Sequence, residues 1–166
     1  MRPTFGSIVR AVASAVRSPT RRTPPPTRQE RSAPRRRRYP GDFTGSFTPR
    51  YAAKLDGRAD PGEILWTWVP YEDDQTQGKD RPVLAVGQSR GWLLCLMLSS
   101  KDHDRDAADE ARWGRRWMDV GSGAWDAKRR PSEVRLDRII RIHPDNVRRE
   151  GAVLDRKTFD KVIGSL

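Results

Sequence analysis

Three short apolar runs within residues 62–100 constrain the fold of this chain most strongly. They cover Glu63–Val69, Pro82–Gly87 and Trp92–Leu98. Each run has the length of a strand and is bounded by residues typical of turns. A polar loop at 70–80 separates the first two runs, and Gln-Ser-Arg-Gly at 88–91 separates the second from the third. The pattern therefore predicts three strands, the last two joined by a tight hairpin.

The hairpin determines which residues of the second and third strands face each other. If it is centred on Arg90, paired residue numbers sum to about 180, which places Val83 opposite Met97. The same register places Arg81 opposite Ser99. We therefore expect a guanidinium and a hydroxyl side by side at the open end of the hairpin.

The remainder of the domain predicts more strands and a closing helix. The first strand has apolar residues on both faces, as in a strand buried on two sides. Asp155 is a suitable N-cap for a terminal helix that ends near Ile163 and carries an apolar stripe. The expected fold is mainly β with short helices, in a small barrel or a strongly bent sheet. Further strands are expected at Arg116–Val120, Ser132–Leu136 and Arg138–Ile142, and short helical segments at 50–55, 106–112 and 144–150.

Basic charge is concentrated in the first 50 residues. They hold twelve Arg and two acidic residues, a net charge of +10, whereas residues 51–166 hold 21 basic and 20 acidic residues, a net charge of +1. We expect residues 1–61 to be a low-complexity Arg/Pro-rich tail and linker, disordered because it has few apolar groups. The folded domain is expected at 62–166. The tail could bind RNA or the ribosome, be a mere appendage, or precede the true start codon; composition alone favours the last two.

Several classes of protein are excluded by composition. The single cysteine, Cys95, excludes an internal disulfide and a cysteine-based zinc site, and fits a reducing cytoplasm. No apolar run approaches membrane-spanning length. His103 and His143 lack the spacing of metal ligands, and Ala107 stands where a calcium loop beginning at Asp102 would need Gly. We expect no metal site and no cofactor.

Three motifs occur in order along the domain. They are Gly62-Glu63-Ile64-Leu65-Trp66, Gly78-Lys79-Asp80-Arg81-Pro82-Val83-Leu84 and Val134-Arg135-Leu136-Asp137-Arg138-Ile139. The ordered set resembles the MazF/PemK/Kid family of toxin endoribonucleases over residues 62–166. The resemblance implies an SH3-like barrel with a C-terminal helix, a homodimer, metal-independent cleavage of single-stranded RNA and inhibition by a cognate antitoxin peptide.

The chain departs from the family pattern in three places. Ser99, followed by Ser100, stands where the family usually has Thr. The loop at 70–80 lacks the His that some members have there, and the insertion Lys101–Gly114 is unusually long and charged.

The resemblance also indicates which residues would cut RNA. Attack by the 2′-hydroxyl needs a base, an acid and cationic or hydrogen-bonding partners for the phosphorane. Asp137 is the candidate base. Arg135, two residues earlier on the same strand face, would donate to the leaving oxygen or the phosphorane. Arg81 would clamp the phosphate together with Ser99. The residues expected to contact RNA beside them are Lys79, Ser100 and Arg138.

Other interpretations of these residues stay open. Without the resemblance, Arg135 and Asp137 would be an ordinary surface ion pair, and Arg81 a solvated strand start. The same barrel could be a non-cutting module that binds nucleic acid or gyrase, since fold alone does not determine function. A third idea makes the Arg-rich tail the functional part. Trp117 is expected in the core, whereas Trp113 and Trp125 could be core residues or platforms for bases.

Overall fold

The computed structural model describes residues 38–103 and 107–166, which form one antiparallel sheet with two helices. The strands are β1 (Glu63–Pro70), β2 (Gly78–Ser89), β3 (Trp92–Ser99), β4 (Trp117–Asp119), β5 (Glu133–Ile142) and β6 (Val147–Val153). The helices are α1 (Ala107–Arg112) and α2 (Arg156–Gly164). The sheet order is β4-β5-β3-β2-β1-β6. The mainly β fold is thus confirmed; no helix in the described ranges is both long and apolar enough to span a membrane.

The hairpin between β2 and β3 has the predicted register at its open end. Val83 faces Met97, as expected. The turn is the two-residue sequence Arg90-Gly91, with φ of 50° and 81°, the left-handed conformation that such hairpin turns require. This turn alone would shift the register by one residue. A bulge between Ala85 and Gly87 absorbs the extra residue and restores the predicted pairing near the site.

β1 is buried on both faces, which confirms the prediction for this strand. One face carries Ile64 and the other Leu65, and neither residue is exposed to solvent. The core cluster that contains Ile64 also contains Phe159 and Val162 of α2, so the terminal helix covers the Ile64 face. Trp66 donates from Nε1 to the carbonyl oxygen of Trp125 at 2.8 Å. This bond brings the segment between β4 and β5 against β1, so the sheet is strongly bent.

β5 contains a wide bulge where the third sequence motif lies. Leu96 pairs with Ile139 and Leu98 pairs with Val134. Between these pairs β3 has one residue and β5 has four, residues 135–138. The two strands predicted at 132–136 and 138–142 are therefore one strand with three extra residues. The bulge removes residues 135–138 from regular pairing with β3, while Arg135 still pairs with Trp117 of β4.

The region after β5 differs from its prediction. Only Pro144–Asn146 form a helical turn, of the 3₁₀ type, and residues from Val147 onward form β6. β6 pairs with the free edge of β1, and Thr67 faces Val147. Pairing across the sheet thus overrides the local helix signal at 147–150. The terminal helix is as predicted, with the Asp155 side chain accepting from the Thr158 N–H.

Residues 39–61 pack against the sheet, in contrast to the expected linker; we call them the N-terminal strap. The backbone N–H of Phe43 donates to the Ile139 oxygen at 2.8 Å. Phe43, Phe47 and Tyr51 pack against the core, and the Tyr51 hydroxyl donates to the Leu154 oxygen. Residues 50–55 form no helix, in contrast to the prediction. The sequence analysis missed the strap because Phe43, Phe47 and Tyr51 recur every fourth residue, which is helical spacing, whereas Gly45 and Pro49 between them argue against a helix. The expectations for residues 1–37 lie outside the described residues.

Candidate active site

A cleft of about 650 Å³ opens where the ends of several strands meet. Its walls come from the loop after β1, the start of β2, the end of β3, β4 and the bulge of β5. Six of the seven residues predicted for the site line it: Lys79, Arg81, Ser99, Ser100, Arg135 and Arg138. Strands far apart in sequence therefore bring these residues into one cavity.

Arg81 and Lys79 supply cations for which none of the described side chains provides a carboxylate partner. Arg81 is half-buried and Lys79 is exposed, and both begin β2 beside the end of β1. The start of β2 can lie this close to the end of β1 because residue 78 is glycine: a Cβ there would lie 2.4 Å from the Val69 oxygen. An arginine without an acidic partner can present its whole donor fork to a phosphate.

Arg135 is buried and held between two carboxylates. Its Nη1 donates to Glu72 Oε2 at 2.9 Å and its Nη2 donates to Asp137 Oδ2 at 2.6 Å. Burial alone would lower the pKa of Arg135, but the hydrogen bonds to both carboxylates raise it instead. The guanidinium therefore stays charged and is a fixed electrostatic group. This makes it poorly suited to protonate a leaving oxygen.

Asp137 does not line the cleft. Its Oδ1 accepts from the backbone N–H of Arg116 at 2.8 Å, and the rest of the carboxylate faces Arg135. Burial alone would raise the pKa of Asp137, but the bonds from Arg135 and Arg116 lower it below its usual range. A carboxylate so stabilised is a weak base. The geometry thus favours Asp137 as the group that positions Arg135, rather than the predicted base.

Arg138 contributes to the wall of the cleft, but its donors are engaged elsewhere. Its Nε and Nη2 donate to Asp42 of the strap at 2.8 and 3.1 Å, and its Nη1 donates to the Pro70 oxygen at 3.0 Å. The side chain is 6% exposed. This arrangement favours a structural role, tying the strap and the end of β1 to β5, over the predicted RNA contact.

His103 is a residue of the cleft that the sequence analysis missed. It is 8% exposed, and its Nε2 lies 3.2 Å from Ser99 Oγ. Its ring stacks on Trp117, with centroids 3.8 Å apart and planes 4° apart. On the far side, Nδ1 lies 3.6 Å from Glu110 Oε1. The sequence spacing of Ser99, His103, Glu110 and Trp117 did not predict this cluster, because the irregular insertion at 101–114 brings them together.

The two undecided tryptophans, Trp113 and Trp125, and Trp117, which was expected in the core, have three different environments. Trp125 is buried and donates to Ser132 Oγ at 3.1 Å, so it belongs to the core. Trp117 lines the cleft and is half-buried, so it is not the core residue that the sequence suggested. Trp113, next to α1, is 76% exposed. It is free to act as a platform for a base.

Fold and site together define a small, bent-sheet β domain with an arginine-lined cleft at its strand ends. Residues 60–166 match the family model described as PemK-like, MazF-like toxin of type II toxin-antitoxin system. The chain belongs to this toxin family, as its three motifs predicted. Membership implies an antitoxin as partner. A comparison with curated proteins returned no match.

Proposed function

We propose that this toxin acts as an endoribonuclease, cutting single-stranded RNA without a metal ion. The 2′-hydroxyl of the substrate attacks the adjacent phosphorus, and the 5′-oxygen leaves. The observation that carries the proposal is the convergence of Arg81, Ser99 and Arg135 in one cleft, with Arg81 unpaired by any acid of the described ranges. Together they match the requirement for groups that stabilise a phosphorane.

Each of these groups has a distinct role in the proposed reaction. Arg81 binds the scissile phosphate, and the Ser99 hydroxyl lies beside the reacting group in the same cleft. Arg135, fixed by Glu72 and Asp137, adds a positive charge that needs no rearrangement as the phosphorane forms. Lys79 and Ser100, both exposed, contact the neighbouring backbone. We further propose, from the family resemblance, a cytoplasmic homodimer that a peptide segment of the antitoxin inhibits.

The first prediction concerns Arg81. Purified protein is incubated with a long single-stranded RNA in EDTA, and the new 5′ ends are mapped by sequencing. We expect defined cuts from the wild type. Arg81→Ala should cut about 10²–10³-fold more slowly, because one donor to the developing charge is lost.

Arg58→Ala is the matched control for this experiment. Arg58 is exposed on the strap and does not line the cleft, so this variant should cut like the wild type. Intact RNA with wild-type protein that still binds it would contradict the proposal. That outcome would support the non-cutting module that binds nucleic acid or gyrase.

A further inference from the structure

The proposed reaction needs a proton acceptor, and Asp137 is poorly placed for that role. It lies off the cleft and its pKa is lowered by Arg135 and Arg116 despite its burial. We propose that His103 accepts the proton of the substrate 2′-hydroxyl, relayed through the hydroxyl of Ser99. This inference rests on the proposed ribonuclease activity and adds a residue that lies outside the three motifs.

The Ser99–His103 contact has the geometry of a proton relay. Ser99 Oγ accepts from the backbone N–H of Lys101 at 3.1 Å, which fixes the hydroxyl oxygen. The hydroxyl hydrogen is then free to point at Nε2 of His103, 3.2 Å away. A hydroxyl and an imidazole at this distance are within the range in which a base draws a proton from an alcohol. Ser99 is 8% exposed and lines the cleft, which places the pair at the wall of the cavity that would hold the substrate.

The surroundings of His103 fix its ring and favour its charged form after transfer. Trp117 covers one face of the ring. Glu110 faces Nδ1, which no other described group bonds. Burial alone would raise the pKa of Glu110, but hydrogen bonding from Trp117 and the nearby charge of Arg115 lower it. Glu110 thus remains a carboxylate and can stabilise the imidazolium, as the acid of a catalytic triad does.

Two other charged groups lie near His103, one acidic and one basic. The backbone N–H of His103 donates to the carboxylate of Glu133 on β5, with both oxygens 3.3 Å away. Arg115 Nη1 lies 3.6 Å from Glu110 Oε2 and partly balances that carboxylate. Among the described residues, the Glu110 carboxylate therefore faces the ring, the Glu133 carboxylate holds the backbone of His103, and the Arg115 guanidinium lies behind Glu110. This balance suits a group that becomes positive during the reaction.

The proposed step is balanced in protons and bonds. The 2′-hydroxyl passes its proton to Ser99 Oγ while Ser99 passes its own to His103 Nε2. The 2′-oxygen bonds to phosphorus, and the bond from phosphorus to the 5′-oxygen breaks. Water in the open cleft protonates the leaving oxygen, and His103 returns its proton to solvent. The products are a 2′,3′-cyclic phosphate and a 5′-hydroxyl.

The dependence of cleavage on pH tests this inference, since imidazole is the side chain that ordinarily titrates between about pH 5 and 8. Cleavage of single-stranded RNA in EDTA is measured from pH 5 to 9. We expect the wild-type rate to rise with pH through this range and then level off. His103→Gln should cut about 10²–10⁴-fold more slowly and lose the rise.

His143→Gln is the matched control, because His143 does not line the cleft and should leave rate and profile unchanged. Thermal unfolding checks that each variant is folded. Should His103→Gln not fold, Ser99→Ala, a much smaller change, must lose the same pH-dependent rise. A folded His103→Gln or Ser99→Ala with the wild-type rate and profile would overturn the inference alone. A wild type that cuts no RNA would overturn the proposed function and this inference with it.

Discussion

At the residue scale, partners decide what each arginine of the cleft can do. Arg138 donates its hydrogen bonds to Asp42 and a carbonyl oxygen, and Arg135 is held by ion pairs with Glu72 and Asp137. Arg81 has no such partner among the described residues, although it has the same chemistry. The motif predicted which residues gather, but not how they pair. Pairing depends on Asp42 and Glu72, which lie far from these arginines in the sequence and outside any motif.

The pairing of Arg135 with Asp137 makes a prediction about stability. Asp137→Asn should lower the free energy of unfolding by about 1–3 kcal/mol at pH 7, because a buried guanidinium loses its closest partner. The lowered pKa of Asp137 means that this contribution is present above about pH 4 and is lost as pH falls through the folded-state pKa. Urea unfolding of the wild type and Asp137→Asn between pH 7 and 2.5 measures the difference in their free energies of unfolding. This difference should become smaller as the pH falls.

Asp109→Asn is the control for this measurement. Asp109 pairs with Arg112 on the surface, with both side chains more than 70% exposed, so its loss should cost about 0–1 kcal/mol. If Asp137→Asn loses as little free energy of unfolding as this control, or if its loss does not change with pH, the described pairing is contradicted.

At the element scale, the elements that local sequence determines could be predicted, and those that depend on pairing between distant segments could not. The hairpin and α2 follow from apolar periodicity, turn residues and a cap, all of which are local. Residues 147–150 of β6 were predicted as helix, because their strand character comes from pairing with the free edge of β1. The bulge of β5 and the contact of His103 with Ser99 also depend on elements distant in sequence. Most residues predicted for the site were therefore readable from the chain and line the cleft, whereas His103, the residue we propose as proton acceptor, was not.

Gly78 makes a prediction at this scale. Gly78→Ala would place a Cβ 2.4 Å from the Val69 oxygen and 2.5 Å from the Trp68 ring, so β1 and β2 must separate. We expect a loss of about 1–3 kcal/mol in the free energy of unfolding. Gly164→Ala, at the end of α2 with open space around it, should be neutral or stabilising by up to about 1 kcal/mol. Thermal or urea unfolding compares the two, and equal effects would contradict the close approach of β1 and β2.

At the scale of the whole molecule, most of the net positive charge lies in a different part of the sequence from most residues of the cleft. Residues 1–50 carry a net charge of +10, whereas the part with the cleft is nearly neutral. The proposed binding of RNA in the cleft must therefore depend on the local arrangement of Lys79, Arg81 and Arg135. Asp42, which lies within the first 50 residues and belongs to the strap, accepts a hydrogen bond from Arg138 at the wall of the cleft. Composition predicted the neutral domain, but its boundary at residue 62 excluded a segment that contributes to the core.

The substrate's own 2′-hydroxyl is the reactive group in this account, so removing it is the most direct test. Once the cuts are mapped, a short RNA is made with a single 2′-deoxy nucleotide on the 5′ side of the cut, and its cleavage in EDTA is compared with that of the all-RNA strand. We predict that the protein binds both strands, leaves the deoxy strand whole and gives the RNA strand a 2′,3′-cyclic phosphate end. Cleavage of the deoxy strand at the same bond and rate would contradict the account.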